Sequence, residues 1–198
     1  MSNKVVCDLS ISADGYVAGP GQTADKPFGD GPVDRLHAWM FDTPAENQAE
    51  VDRITSAGAY VMGRNMFGPV RGEWDLDWTG WWGEDPPYHA PVFVLTHHPR
   101  DPLTMQGGTT FTFVDGIGSA LDQARAAAGD RDIAIAGGAA TINQYLAAGL
   151  VDELRTHIAP VTLGAGERLF DGVPSLDLEL LATRSASLVT HIDYRVRH

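Results

Sequence analysis

The residues best placed to do chemistry lie in 133–146, IAIAGGAATINQYL. An apolar run ends in Gly137-Gly138, and a helical pattern starts within two residues. Free N–H groups and the positive dipole end of a helix N-terminus suit a phosphate, and glycines let the backbone approach it closely. The Thr141 hydroxyl adds one more donor. The same pair also reads as a tight strand-to-helix turn with no ligand, and it is not a GxGxxG fingerprint. A second candidate is Gly63-Arg64 in VMGRNMF, residues 61–67, where an arginine after a short apolar run can grip a phosphate bidentately or merely cap a surface helix. The third is Thr96-His97-His98-Pro99-Arg100, directly after PVFVLT. Three strand ends thus carry anion-binding groups, and in open α/β sheets ligands collect at the carboxyl ends of strands.

Other chemistries lack their residues. His97 and His98 are adjacent and point apart on regular structure, and with no HxH or HExxH the sequence predicts no metal site. Ser10, Ser12 and Ser56 have no GxSxG context. Cys7 sits inside an apolar run and reads as a small core residue. A P-loop is missing from a chain whose only lysines are Lys4 and Lys26.

Charge narrows the partners. With 14 Lys plus Arg against 26 Asp plus Glu, the net charge of −12 opposes binding to nucleic acid or an anionic membrane. A single cysteine allows no intrachain disulfide. No run of 18 apolar residues and no signal-peptide pattern is present, so a soluble, cytoplasmic protein is expected. In so acidic and lysine-poor a chain, an anionic ligand must be held by arginine, histidine or backbone N–H groups.

The elements that must position these residues are legible in outline. KVVCDLSI (4–11) reads as a strand, followed by a long ordered loop rich in glycine and proline to Pro32. Thr43, Pro44 and Glu46 read as an N-cap, a first-turn proline and a capping box, opening a helix to Gly58. Ala59–Gly63, Pro91–Thr96, Thr110–Val114, Ile133–Ala136 and Glu153–Ala159 read as strands. Helices are expected from Asp115 to near Gly129 and from Ala139 to Ala148. Residues 69–90, with Trp74, Trp78, Trp81 and Trp82, show no regular period. This alternation predicts one α/β domain over 1–198, a mostly parallel mixed sheet between two helical layers. Leu176–Thr183 and Ser187–Val196 should add a C-terminal antiparallel hairpin.

The ordered set resembles a known family. The opening strand followed by Ser12-Ala13-Asp14-Gly15-Tyr16-Val17-Ala18-Gly19, then VMGRNMF, VFVLT, AIAGGAAT, LVDEL (150–154) and APVTLGAGERLF (159–170), is similar to dihydrofolate-reductase-like proteins. It looks in particular like the reductase domain of bacterial riboflavin biosynthesis. The resemblance spans nearly the whole chain and implies a three-layer αβα dihydrofolate-reductase-like fold that uses NADPH to reduce a small heterocycle of pterin or pyrimidine type. It implies cofactor contacts at Gly63, Arg64, Thr96, His97 and the turn Gly137, Gly138, Ala139, Ala140, Thr141 and Ile142, with a Gly-Gly peptide that is often cis in the family. It places Asp14, Val17 and Ala18 in a loop closing over nicotinamide and substrate. Arg64, His97, His98 and Arg100 become candidates for the 2′-phosphate of NADP. Asp14 and Asp34 are the carboxylates that could aid protonation, Asp34 by its place after the first loop. A homodimer paired through edge strands is also expected, with the amphipathic C-terminal strand THIDYRVRH (190–198) contributing to a sheet edge.

Departures from the pattern bear on the substrate. Ala136 stands where riboflavin-type reductases carry a glutamate, no substrate motif is evident in FGDGPVDRLHAWMF, and no zinc-dependent deaminase half is expected. An alternative is therefore a non-catalytic NADP(H)-binding or interaction protein that has lost its substrate site. The tryptophan-rich segment reads either as a stacking wall for a flat heterocycle or as a local hydrophobic core or dimer contact.

Overall fold

The computed structural model describes residues 3–69 and 71–198. In chain order it contains β1 (Val5–Ser12), β2 (Tyr16–Ala18), α1 (Ala38–Phe41), α2 (Gln48–Ile54), β3 (Ala59–Gly63), α3 (Arg64–Phe67), β4 (Pro91–Leu95), β5 (Leu103–Thr104), β6 (Thr110–Val114), α4 (Ile117–Ala127), β7 (Ile133–Gly137), α5 (Ala139–Ala147), β8 (Glu153–Ala159), β9 (Glu167–Arg168), β10 (Asp177–Ala186) and β11 (Val189–Arg197). Single 3₁₀ turns lie at Val33–Leu36, Pro44–Glu46 and Gln106–Gly108.

Nine strands form one sheet in the order β10-β11-β8-β1-β7-β3-β4-β6-β5, while β2 and β9 pair separately. The six strands from β8 to β6 are mutually parallel, and the hairpin β10–β11 joins β8 antiparallel. Crossovers are what parallel pairs require, and the helices they contain cover both faces. The mostly parallel sheet and the C-terminal hairpin expected from the sequence are both present.

The two faces differ in chemistry. Val5, Cys7, Leu9 and Ile11 of β1 alternate toward one side, where they join Val61, Ile133, Ile135 and Leu154 against Leu121 and Ala124 of α4 and Ile142, Tyr145 and Leu146 of α5. On the opposite side, Tyr60, Met62, Val92, Val94 and Phe111 pack against Phe67 of α3. Trp74, Trp78 and Trp82 seal that second cluster, and indole Nε1–H groups donate from Trp74 to the His98 carbonyl (2.8 Å) and from Trp78 to the Phe67 carbonyl (2.9 Å). The tryptophan-rich segment is a local hydrophobic core, as one of its two readings held.

Other expectations need correction. The helix expected from Thr43 to Gly58 is broken into a 3₁₀ turn and α2, because Asn47 turns its side-chain amide onto the carbonyls of Trp39 and Thr43 (both 3.0 Å). Thr43 does not cap, and Glu46 does not close a capping box. Its carboxylate instead accepts from the amide and hydroxyl of Ser187 at the hairpin turn (3.0 and 2.8 Å). Helix α4 starts at Ile117 rather than Asp115. The short strands β2, β5 and β9 carry too few residues for a period-2 pattern to reveal them. Among the described residues no helix is long and apolar enough to cross a membrane.

Candidate functional site

The parallel strands place the ends of β1, β3, β4, β7 and β8 along one edge of the sheet, and nearly every residue singled out from the sequence lies there or in the loops that follow. At its centre, β7 ends in Gly137-Gly138, whose peptide is cis, and α5 begins at Ala139. Gly137 has φ +131°, a conformation that side chains other than glycine rarely adopt. The amides of Thr141 and Ile142 bond the Gly138 carbonyl, whereas those of Ala139 and Ala140 have no acceptor among the described residues. This is the set of free donors that a helix N-terminus offers an anion.

Gly63, at the end of the neighbouring strand β3, touches this turn. A Cβ added to Gly63 would collide with Thr141 Oγ1, so α5 approaches β3 only because position 63 has no side chain. Arg64 then opens α3. Its guanidinium stacks on the Trp74 ring with Cζ 3.9 Å from the centroid, and Nη2 donates to the Glu73 carbonyl (3.2 Å). Its Nε is buried with no partner among the described residues, and burial lowers its pKa, an effect that nearby Arg71 adds to. A cation held by an aromatic face and a carbonyl, with no carboxylate bridged to it among the described residues, retains its capacity for an anion.

The third strand end is less open. Thr96 Oγ1 accepts from the His98 amide (3.0 Å), closing a small turn. The His97 ring is exposed and bonded to Asp115 Oδ1 at 2.7 Å, so it faces a carboxylate. Arg100 lies over the rings of Phe67, Trp74 and Phe113 at 5.2–5.8 Å and donates to the Leu76 carbonyl (3.0 Å). Like Arg64 it is held by aromatic faces and a carbonyl, and its Nη1 is buried with no hydrogen-bond partner among the described residues. Ile142 is wholly buried in the core, so its contribution to the turn is packing.

The first loop reaches the same edge from the side. Val17 packs on the core, Ala18 is buried, and β2 pairs with β9. Strand β9 is in turn pinned to α5 by Asn143, whose amide donates to the Arg168 carbonyl (3.0 Å) and whose Oδ1 accepts from the Phe170 amide (2.8 Å). Asn143 was not singled out in the sequence, where it reads as one more polar helix residue. Asp14 accepts from Ser12 Oγ (2.6 Å) and from the amides of Leu163 and Gly164 (3.0 and 2.8 Å). These bonds, the Ser12 hydroxyl foremost, lower its pKa to about 2. A carboxylate bonded in this way clasps two loops together, and the same bonds favour its ionised form.

Beside this clasp an open cleft of about 440 Å³ is lined by Ala13, Pro32, Arg35, Pro160, Val161 and Thr162. It lies at the carboxyl ends of β1 and β8 and under the 3₁₀ turn that carries Asp34. Asp34 is exposed and does not line the cleft, whereas its neighbour Arg35 does, with Nη2 bonded to the Pro160 carbonyl (3.0 Å). Arg35 and Thr162 were missed because each lies in a loop whose course only tertiary structure defines.

Comparison with known proteins bears on this geometry. A model of the RibD C-terminal domain matches residues 3–192. YyaP of Bacillus subtilis strain 168, an uncharacterized protein, is 26% identical over 196 residues, which cover 93% of this chain and 89% of that one. Among solved structures, a protein assigned to riboflavin biosynthesis from Shewanella sp. PV-4 superposes with a TM-score of 0.64 at 24% identity over 100% of both chains. The dihydrofolate reductase of Enterococcus faecalis, complexed with NADP(H), superposes with a TM-score of 0.60 at 14% identity over 100% of this chain and 99% of that one. At these identities the superpositions show a shared fold.

Proposed function

The chain belongs to the RibD C-terminal domain family, and on that premise we propose that it is an NADPH-dependent reductase transferring hydride to a small heterocycle of pterin or pyrimidine type. The observation that carries this reading is the junction of β3 and β7. Two adjacent strand ends meet there with no side chain at Gly63, Gly137 or Gly138 and with two amides at the start of α5 that have no acceptor among the described residues, while Arg64 directly follows Gly63 with its guanidinium on the Trp74 ring. Such a cradle fits a dinucleotide pyrophosphate, with Arg64 the cation best placed for the additional phosphate that distinguishes NADPH from NADH.

Bound NADPH would supply a hydride from C4 of its nicotinamide ring. The protein's part is to hold and orient. The amides of Ala139 and Ala140 and the Arg64 guanidinium hold phosphates. The first loop, with Val17 and Ala18, borders the site from the side of β1. Ala13, Pro160, Val161 and Thr162 form a wall against which a flat ring can lie, and Arg35 is the ionisable side chain among the six residues lining that cleft. Asp14 keeps the two loops together as an anion, and Asp34 stands outside the cleft, so in this reading the proton that completes reduction comes from solvent rather than from either carboxylate.

Titration with NADPH and NADH, followed by tryptophan fluorescence or calorimetry, tests the cofactor half. Saturation by NADPH with weaker binding of NADH supports the proposal, and silence at millimolar NADPH ends it. Loss of NADPH absorbance with any member of a panel of dihydropterins and aminopyrimidines then separates turnover from binding without reaction.

A homodimer is also proposed, through the outer edge of β10. The C-terminal strand β11, expected at the edge, lies inside between β10 and β8; the ten-residue β10 has no neighbour beyond it among the described residues, and Leu180 and Leu181 are exposed along it. An open edge of that length favours pairing with a second strand. A monomeric mass by light scattering would remove this part of the reading.

A further inference from the structure

Beneath α1 and α2, on the sheet face opposite α4 and α5, the core is polar. His157 on β8 is completely buried; its Nε2 contacts Asp8 Oδ1 of β1 at 2.5 Å, and its Nδ1 lies 2.6 Å from Nδ1 of His191 on β11. His191, also buried, reaches Asn47 Oδ1 through Nε2 at 3.0 Å. Trp39 of α1 closes the layer, 4.6 Å from the His157 ring and 5.1 Å from that of His191, with Nε1–H donating to Ser10 Oγ (2.9 Å).

The hydrogen bonds fix where the protons are. Asn47 donates both amide hydrogens to the carbonyls of Trp39 and Thr43, and its Oδ1 also accepts from Arg184 Nη2 (2.9 Å). An oxygen cannot donate, so His191 Nε2 carries a hydrogen. A contact of 2.6 Å between two ring nitrogens needs one hydrogen between them. If His191 supplied it, His191 would be a cation facing the charges of Arg53 and Arg184, with Glu50 as the opposing carboxylate. If His157 supplies it, the charge lies against the Asp8 carboxylate. Asp8 Oδ2 faces the guanidinium groups of Arg53 and Arg155 at 3.8 and 3.9 Å, which leaves Asp8 an acceptor toward His157 as well. The remaining charged groups around the layer are paired, Arg53 with Asp193, Arg155 with Glu153, and Arg184 with Glu50.

We infer that His157 is a buried imidazolium bound to the Asp8 carboxylate, and that through neutral His191 and Asn47 it positions the segment 33–54, including the turn that brings Arg35 to the cleft. His191 is held neutral by burial, and next by the charge of His157, with its pKa lowered to about 4. His37, which ends the Arg35 turn, is shifted to about 4 by burial and then by the charge of His157. Removing one partner of a buried charged pair disrupts more than replacing the pair does.

NMR of protein labelled with nitrogen isotope in histidine tests the assignment directly at neutral pH. The ring signal lost in His157→Gln should show both nitrogens protonated, and the one lost in His191→Gln should show a neutral ring with the hydrogen on Nε2. A neutral His157 ring in the wild-type protein would overturn the inference. For positioning, hydrogen exchange is read in Asp8→Asn and in Asp8→Asn with His157→Gln. Amides of 33–54 should exchange at least about tenfold faster in the single variant while those of β3 and β4 keep their wild-type rates, and the double variant should restore part of the protection. Wild-type exchange in 33–54 of the single variant, or equal acceleration across the whole sheet, would reject the positioning role. Neither readout needs cofactor or substrate, so failure here is distinct from failure of the reductase reading.

Discussion

Thr141 Oγ1 occupies the space that a Cβ on Gly63 would need. This contact sets how closely α5 and its free amides approach the end of β3, and with it the distance over which one dinucleotide could touch both. Gly63→Ala should destabilise the protein by about 1–3 kcal/mol through overpacking. Adding Thr141→Ala should recover most of that loss, which urea unfolding of the two single variants and the double variant would measure as a coupling energy. Additive effects would show that the two residues do not press on each other.

Arg64→Ala removes the guanidinium that follows Gly63 at the end of β3. A charge-assisted hydrogen bond contributes about 1.5–3 kcal/mol, so the Kd for NADPH should rise roughly ten- to a hundredfold. Binding of NADH should change little. An equal loss for both cofactors in calorimetric titrations would assign Arg64 to the shared pyrophosphate rather than to the additional phosphate.

Asp14→Asn separates a clasp from a proton donor. The amide keeps the shape but removes the charge that accepts from Ser12, Leu163 and Gly164. The variant should loosen the loops, raising KM and the proteolytic sensitivity of residues 160–166. The pH dependence of kcat should keep its wild-type form. Loss of an acidic limb from that profile would restore Asp14 as the proton source.

Acid should destabilise the fold in two successive windows. His191 and His37 fall from an ordinary 6.5 to about 4 on folding, so the unfolded chain binds their protons first and stability is lost as the pH drops from about 6.5 to about 4. Each histidine can contribute up to about 1.4 kcal/mol per pH unit in that range. Asp14, lowered from 3.8 to about 2, adds stability that is present above pH 3.8 and disappears toward pH 2. Midpoints of urea unfolding followed from pH 7 to pH 3 would show the first window, and His191→Gln should flatten it.

Ser10→Ala leaves the Trp39 indole N–H buried without an acceptor, at a cost of about 1–3 kcal/mol. Trp39→Phe keeps most of the ring and leaves only the serine hydroxyl unmet, so it should cost less than Trp39→Ala, for which about 3–5 kcal/mol is expected. Thermal unfolding would rank the three variants.

How far the sequence reached depended on the range of the interaction. Apolar runs ending in Gly63, Thr96 and Gly137 announced three strand ends because a strand's periodicity and its closing glycine are local properties. The alternation of strands with helices then restricted the fold to crossovers around a parallel sheet, and the ordered motifs pointed to the right family. Arg64 was legible as a candidate for the same local reason, being the first residue after a strand.

What remained was decided by residues far apart in sequence. Glu46 fits a capping box by spacing, yet it bonds Ser187, 141 residues away, because the hairpin turn folds against it. Arg100 and Arg64 read alike as arginines near strand ends, and only packing brings both guanidinium groups onto the ring of Trp74. Asp8, His157 and His191 were not singled out in the sequence, and Ser10 was noted only as lacking a nucleophile context. The sheet register sets Ser10 against His157 and His157 against His191, and the α1–α2 segment excludes water above them. Sequence determined which backbone segments form strands and turns; tertiary structure decided which charges meet, because burial and partner identity are properties of the assembled layers.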